Sequence, residues 1–232
     1  MLEVKELHQH YGSSHTLRGI SLQVKKGECL ALLGRNGVGK TTLLKCLMGV
    51  LPVTKGDVFL EGNKVTSFAP HQRAKAGMAY VPQGRDIFAR LTVEENLLMG
   101  MANLPSKRAQ TIKPEVFELF PILKEMLQRR GGDLSGGQQQ QLAIARALLA
   151  EPSYIIFDEP TEGIQPSIIK DIGRVIGMLR QRGDMGIILC EQYFDFAREL
   201  ADQFIVLSRG EVVAAGAQDI MDTDDVKKHL AV

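Results

Sequence analysis

The chain has 232 residues, 28 Lys+Arg against 27 Asp+Glu, and a formal net charge of +1 with histidines neutral. That balance argues against a dedicated nucleic-acid binder, whose phosphate contacts leave a basic excess, and 44% hydrophobic with 24% charged residues is the make-up of an ordinary globular protein with its own core. No run approaches the roughly 18 consecutive apolar residues of a membrane-spanning helix, so work at a membrane is expected to pass through a partner.

Residues 1–6 carry acidic side chains and no apolar run, which predicts a cytosolic chain without a targeting peptide. Residues 2–7 and 20–24 alternate as strands do, and 29–33 form a continuous apolar run, the pattern of a strand buried on both faces. Gly34 ends that run. A helix follows over 41–50, with Leu43, Leu44, Leu47 and Met48 on one side and Pro52 as its stop. Residues 56–65 read as a hairpin around Gly62-Asn63, and 78–82 as a short strand.

From about residue 87 the character changes. Thr92 followed by Glu95 is a capping box that opens a helix. Residues 105–114 read as a polar, basic surface loop, 115–129 as a helix, and 135–150 as another. Strand and helix then alternate: 154–157, 167–182, 186–190, 194–200, 204–207, a turn at Arg209-Gly210, and 211–214. This order predicts an α/β sheet carrying a helical insertion, divided as 1–86, 87–150 and 151–232. Cys29, Cys46 and Cys190 lie in apolar runs and read as buried free thiols, and the five histidines fall at no zinc-ligand spacing.

Three strings carry chemistry. Gly34-Arg35-Asn36-Gly37-Val38-Gly39-Lys40-Thr41 matches G-x-x-x-x-G-K-[ST] between a buried strand and a helix. Glycines there let backbone amides turn inward and cradle phosphate oxygens at a positive helix end. Gly34, Asn36, Gly37, Gly39, Thr41 and Thr42 are therefore the candidate cradle; Lys40 reaches the β- and γ-phosphates, and the Thr41 hydroxyl ligates Mg²⁺. The apolar strand 154–157 ends in Asp158-Glu159, which places Asp158 for the Mg²⁺ shell and Glu159 to orient and deprotonate a water. Leu134-Ser135-Gly136-Gly137-Gln138 opens a helix with Ser135 as cap and bare amides behind it, a second anion site. In isolation that string is a glycine-tolerant cap. Two phosphate-type sites far apart in one chain predict that one of them faces a nucleotide held by another subunit.

Together the strings resemble the ATP-binding cassette (ABC) ATPases, over essentially the whole chain and in the family's order. The resemblance implies a P-loop NTPase (RecA-like) core with an antiparallel β-subdomain and a helical insertion, and an enzyme that hydrolyses ATP with Mg²⁺. It implies a head-to-tail dimer with two ATP between the phosphate loop of one subunit and Ser135, Gly136, Gly137 and Gln138 of the other, closing on binding and reopening on hydrolysis. By the same resemblance Tyr11 stacks on adenine, while Gln83 senses Mg²⁺ and couples to the membrane partner.

Two positions depart from the family pattern. Gln192 stands where a histidine contacts the γ-phosphate and the attacking water; an amide donates a hydrogen bond but cannot turn cationic. Gln165 stands where an aspartate is common. The departures predict slow hydrolysis by a homodimer and a working pair with a paralogous ATPase subunit.

Residues 81–88, 131–141 and 158–167 resemble the urea-type members of the branched-chain amino acid and amide uptake subgroup, where glutamine at position 192 is usual. The expected function is the ATP-hydrolysing subunit of a bacterial importer of urea or a related short amide. Branched-chain amino acid uptake is the alternative, and a soluble non-transport ABC ATPase stands behind both. The implied partners are a second ATPase subunit, two permease subunits docking around Gln83, Gly84, Arg85 and Phe88, and indirectly an external substrate-binding protein, with no nucleic acid. The implied location is cytoplasmic, peripheral on the inner face of the plasma membrane.

Overall fold

In the computed structural model, which describes residues 1–105 and 111–230, ten strands form two sheets. The chain opens with β1 (Leu2–Tyr11) and β2 (Ser14–Val24), an antiparallel pair. The alternation seen over 2–7 extends to Tyr11, but its phase shifts. Leu2 and Val4 are buried, then Leu7 and Gln9, with register breaks on both neighbours and Glu6 at φ +47°. An irregularity of this kind returns the apolar set to the core face after one residue out of step.

Strand β3 (Cys29–Leu33) is buried at all five positions, as its unbroken apolar run predicts. Cys29 packs with one core, and Leu30 and Leu32 with another on the opposite face. Helix α1 (Lys40–Leu47) is shorter than the predicted 41–50, and Pro52 is not its stop. Gly49 in the left-handed region (φ +72°) turns the chain, and its N–H and that of Val50 return to Cys46 O and Lys45 O. Strands β4 (Lys55–Leu60) and β5 (Asn63–Lys64) form a hairpin whose turn is Glu61-Gly62, one residue before the predicted Gly62-Asn63, because Asn63 already pairs with Leu60; they complete an antiparallel sheet in the order β2-β1-β4-β5.

Helix α2 (Pro70–Lys75) has too few apolar residues for a periodic signal and is absent from the sequence reading. Its Arg73 is 1% exposed and donates to Cys46 O, Leu47 O, Thr66 O and Phe68 O, tying α2 to the C-terminal end of α1. Strand β6 (Met78–Val81) follows.

Helix α3 (Val93–Gly100) opens on the predicted box: Thr92 Oγ1 accepts from Glu95 N at 3.1 Å, and Glu95 Oε2 accepts from Thr92 N at 2.7 Å. Part of the predicted 105–114 loop lies outside the described residues. The predicted helix 115–129 is in fact two, α4 (Pro114–Leu119) and α5 (Pro121–Glu125). Pro121 has no N–H to give and disfavours helical geometry at Phe120, which sits at φ −134°, ψ 73°. Helix α6 (Gly136–Leu148) is capped by Ser135.

Strand β7 (Tyr154–Asp158), α7 (Pro166–Arg182), β8 (Gly186–Cys190), α8 (Phe194–Leu200), β9 (Gln203–Ser208), β10 (Glu211–Ala217) and α9 (Asp224–Leu230) complete the order. Only α9 among these is missing from the sequence reading. The second sheet runs β10-β9-β3-β8-β7-β6, parallel except for β10. One face carries α6 and α7, whose Leu142, Ile144, Ile172 and Val175 pack on Ile155, Phe157, Ile187 and Leu189. Leu43, Leu44 and Leu47 of α1 join Ile156 and Ile188 with Val4, Val58 and Leu60 of the antiparallel sheet, so both sheets share that core. This is the α/β architecture anticipated from the sequence. The loops leaving β3, β6, β7 and β8 meet at the C-terminal ends of neighbouring parallel strands, where such sheets bind ligands. No helix among the described residues is long and apolar enough to cross a membrane. The three cysteines are buried and free; burial pushes the Cys29 thiol up to about 12 and Cys46 to about 11.

Candidate functional site

The loop after β3 can close only with glycine at its first position. Gly34 has φ +145°, and a Cβ there would lie 2.5 Å from Leu207 O. Gly39, at φ +110°, ends the loop as the N-cap of α1, which starts at Lys40 with no side-chain cap on its amides. Lys40 turns back under the loop and is 4% exposed; Nζ donates to Gly34 O at 2.8 Å and Arg35 O at 3.1 Å. Asn36, Gly37, Gly39, Lys40, Thr41 and Thr42 line an open hollow of about 350 Å³, and Gln83 and Glu159 close its far side. Thr16 of β2 also reaches it and carries no motif that would single it out. Tyr11 does not line the hollow; it ends β1 with a half-exposed ring.

The two acids at the end of β7, Asp158 within it and Glu159 just beyond, have different surroundings. Asp158 is 1% exposed; Oδ2 accepts from Tyr80 Oη at 2.8 Å and Oδ1 has no partner. A buried carboxylate oxygen without a donor is costly unless a cation or water meets it, so Asp158 Oδ1 fits a hard divalent ion. Burial, followed by the charge and hydrogen bond of Asp158, holds the Tyr80 phenol far above its ordinary range, so it stays a donor.

Glu159 is held from three sides. It lies in the left-handed region (φ +49°), is 6% exposed, and its N–H donates to Cys190 O at 2.9 Å. Oε2 accepts from Gln192 Nε2 at 2.7 Å and Gln83 Nε2 at 3.3 Å, and Oε1 lies 3.4 Å from Lys40 Nζ. A carboxylate only accepts, which fixes both amides with nitrogen toward it. Gln83 donates as well to Glu162 at 2.9 Å, a link with no sequence signal.

The third string lies elsewhere. Ser135 Oγ accepts from Gln138 N at 3.3 Å, and Gln138 Oε1 accepts from Ser135 N at 2.9 Å, so the Gln138 carboxamide serves the cap. Ser135, Gly136, Gly137 and Gln138 line a separate hollow of about 770 Å³ together with Gln165 and Ile168. Phe88 is exposed, with the Arg146 guanidinium 5.2 Å from its ring centroid.

The sequence profile of the family described as ABC transporter matches residues 17–162, more than half of the chain. This chain belongs to the ABC transporter family. It is 41% identical over 213 residues to the high-affinity branched-chain amino acid transport ATP-binding protein BraG of Pseudomonas aeruginosa, covering 92% of this chain and 91% of that protein. It is 36% identical over 229 residues to the probable branched-chain amino acid transport ATP-binding protein LivF of Archaeoglobus fulgidus, covering 98% and 97%. A solved nucleotide-free ATP-binding cassette from an ABC transporter superposes with a TM-score of 0.85 at 26% identity, over 99% of this chain and 94% of that one. The protein is thus an ATP-binding, ATP-hydrolysing cassette of the transporter class. Both relatives bear names of branched-chain amino acid transport, which favours the alternative over the expected urea.

Proposed function

We propose that this chain energises a bacterial importer of branched-chain amino acids, with catalysis centred on Glu159. The observation that carries the catalytic part is the Glu159 carboxylate, held by Gln192, Gln83 and Lys40 beside the phosphate loop. A carboxylate so positioned takes a proton from a water in line with the γ-phosphate. Lys40 exchanges the carbonyls of Gly34 and Arg35 for phosphate oxygens. Amides from Asn36 to Thr42 bind the remaining charge, and Tyr11 offers its exposed ring to adenine. Thr41, Asp158 and Gln83 would hold Mg²⁺, which would supply charge neutralisation on the phosphates. Gln192 fixes the base and donates to the water; unlike a histidine, it adds no positive charge.

The separate hollow at Ser135, Gly136, Gly137 and Gln138 supports a two-subunit reading, in which each nucleotide lies between the phosphate loop of one subunit and this string of another. A homodimer in isolation follows from that reading, and glutamine at positions 192 and 165 supports a pair with a paralogous ATPase in the complex. We assign docking of two permease subunits to Gln83, Gly84, Arg85 and the exposed Phe88, which keeps the chain peripheral on the cytoplasmic face, with an external binding protein selecting the substrate. The proposed division is 1–86, 87–150 and 151–232, and the docking surface then spans the boundary between the first core segment, which carries Gln83, Gly84 and Arg85, and the insertion, which carries Phe88.

The branched-chain assignment rests on the names of the two relatives. Uptake of labelled leucine and of labelled urea by cells lacking the gene, and by the same cells with it restored, tests it. Leucine uptake should fall and return. A deletion that affects only urea uptake contradicts the assignment.

A further inference from the structure

Glu191 is a buried ionisable group beside the site that the mechanism above leaves unused. It directly precedes Gln192, is 1% exposed, and no ion pair to it occurs among the described residues. Its carboxylate instead accepts from three backbone amides. Oε1 takes Thr161 N at 3.1 Å, and Oε2 takes Gln192 N at 3.1 Å and Tyr193 N at 3.3 Å. The first amide belongs to the segment that leaves β7 and carries Glu159; the other two belong to the segment that leaves β8 and carries Gln192. The strands themselves are paired up to Asp158 and Cys190, and Glu159 N still reaches Cys190 O. Beyond that point the Glu191 carboxylate links the two segments.

We propose that Glu191 is a positioning residue for ATP hydrolysis: it clamps the segment after β7 to the segment after β8 and so fixes the Gln192 amide against the Glu159 carboxylate. Hydrogen bonds from neutral donors to a charged acceptor are stronger than neutral pairs, and in a buried site they lose little to solvent. The 2.7 Å contact between Gln192 and Glu159 is short, and both side chains start from backbones that the clamp restrains. Without it, Gln192 shares its amide with solvent and the base samples orientations away from the water, at a cost to the transition state rather than to nucleotide binding. The inference rests on the reading of Glu159 as the base.

The test uses the full-length chain with Glu191→Gln and Glu191→Asp. Glutamine keeps the shape but turns an NH₂ toward one set of amides; aspartate keeps the charge but shortens the reach. Hydrogen exchange should show Thr161, Gln192 and Tyr193 amides losing protection in both variants while the amides of β3, β7 and β8 keep theirs. ATPase kcat should fall roughly tenfold, with KM and the affinity for a fluorescent ATP analogue within about twofold of wild type. In a Gln192→Ala background, Glu191→Gln should add less than about half of that loss, because the two residues act on one contact.

Wild-type protection at those three amides, or a kcat effect that adds in full to that of Gln192→Ala, overturns the clamp. Lys40→Ala and Glu159→Gln serve as controls. If they hydrolyse ATP as wild type does, the reading of the site itself falls. If they are inactive while both Glu191 variants turn over normally, only the clamp falls.

Discussion

Lys40 and Glu159 face each other 3.4 Å apart, Nζ to Oε1, both nearly excluded from solvent. The lysine also binds Gly34 O and Arg35 O, and the glutamate accepts from Gln83 and Gln192. The proposed phosphate-binding charge and the proposed base thus meet in a single network. Replacing Lys40 with Ala removes the phosphate contact and leaves a buried carboxylate without its cation. We expect ATP affinity, measured by a fluorescent analogue, to drop by roughly 100-fold or more, with hydrolysis lost.

Gln192 donates to Glu159 where the family pattern has a histidine. Gln192→His restores a side chain that can turn cationic beside the developing phosphate charge. Steady-state turnover of the isolated chain should rise, with a new pH dependence near the ordinary imidazole value of about 6.5. Unchanged turnover would mean that the amide at this position does not limit the rate.

Arg73 donates to four carbonyl oxygens, two at the end of α1 (Cys46 and Leu47) and two in the segment before α2 (Thr66 and Phe68). Arg73→Met retains bulk and strands those acceptors in the core. Urea unfolding should show a loss of about 3 kcal/mol, whereas substitutions at exposed positions of α2 should stay within about 0.5 kcal/mol.

Burial raises the Glu191 carboxyl above its ordinary value of 4.5, against the pull of its three amide donors. The folded chain therefore holds this proton more tightly than the unfolded chain does. The stability linked to it is fully present below 4.5 and is lost as pH rises through the raised folded value. Glu191→Gln removes the titration, so its unfolding free energy should fall less than that of wild type as pH rises from 4.5 through the folded value. Urea unfolding at a series of pH values checks this; parallel curves contradict it.

Much of the fold was legible because its signals are local. The run at 29–33 reads as a doubly buried strand, and Thr92 with Glu95 and Ser135 with Gln138 are caps whose hydrogen bonds join near neighbours. What escaped depends on tertiary context. The break at Phe120-Pro121 was visible as a proline but was overridden by helical period. Helix α2 is held by Arg73 reaching residues 26 and 27 positions away, which no period records. The candidate site divides in the same way. Its phosphate loop and acids are contiguous strings, whereas Tyr80 on Asp158, Glu162 on Gln83 and Glu191 on Thr161 join segments between 30 and 79 residues apart.

In the proposed mechanism Glu159 is the base of an ATP-hydrolysing site completed by a second subunit. Glu159→Gln keeps the shape and removes the base. The decisive measurement is the mass of this variant in solution, with and without ATP, alongside its ATPase rate. Hydrolysis should fall below a few per cent of wild type, and a stable dimer should form only with ATP. Hydrolysis at the wild-type rate, or a variant that stays monomeric with ATP bound, contradicts the mechanism.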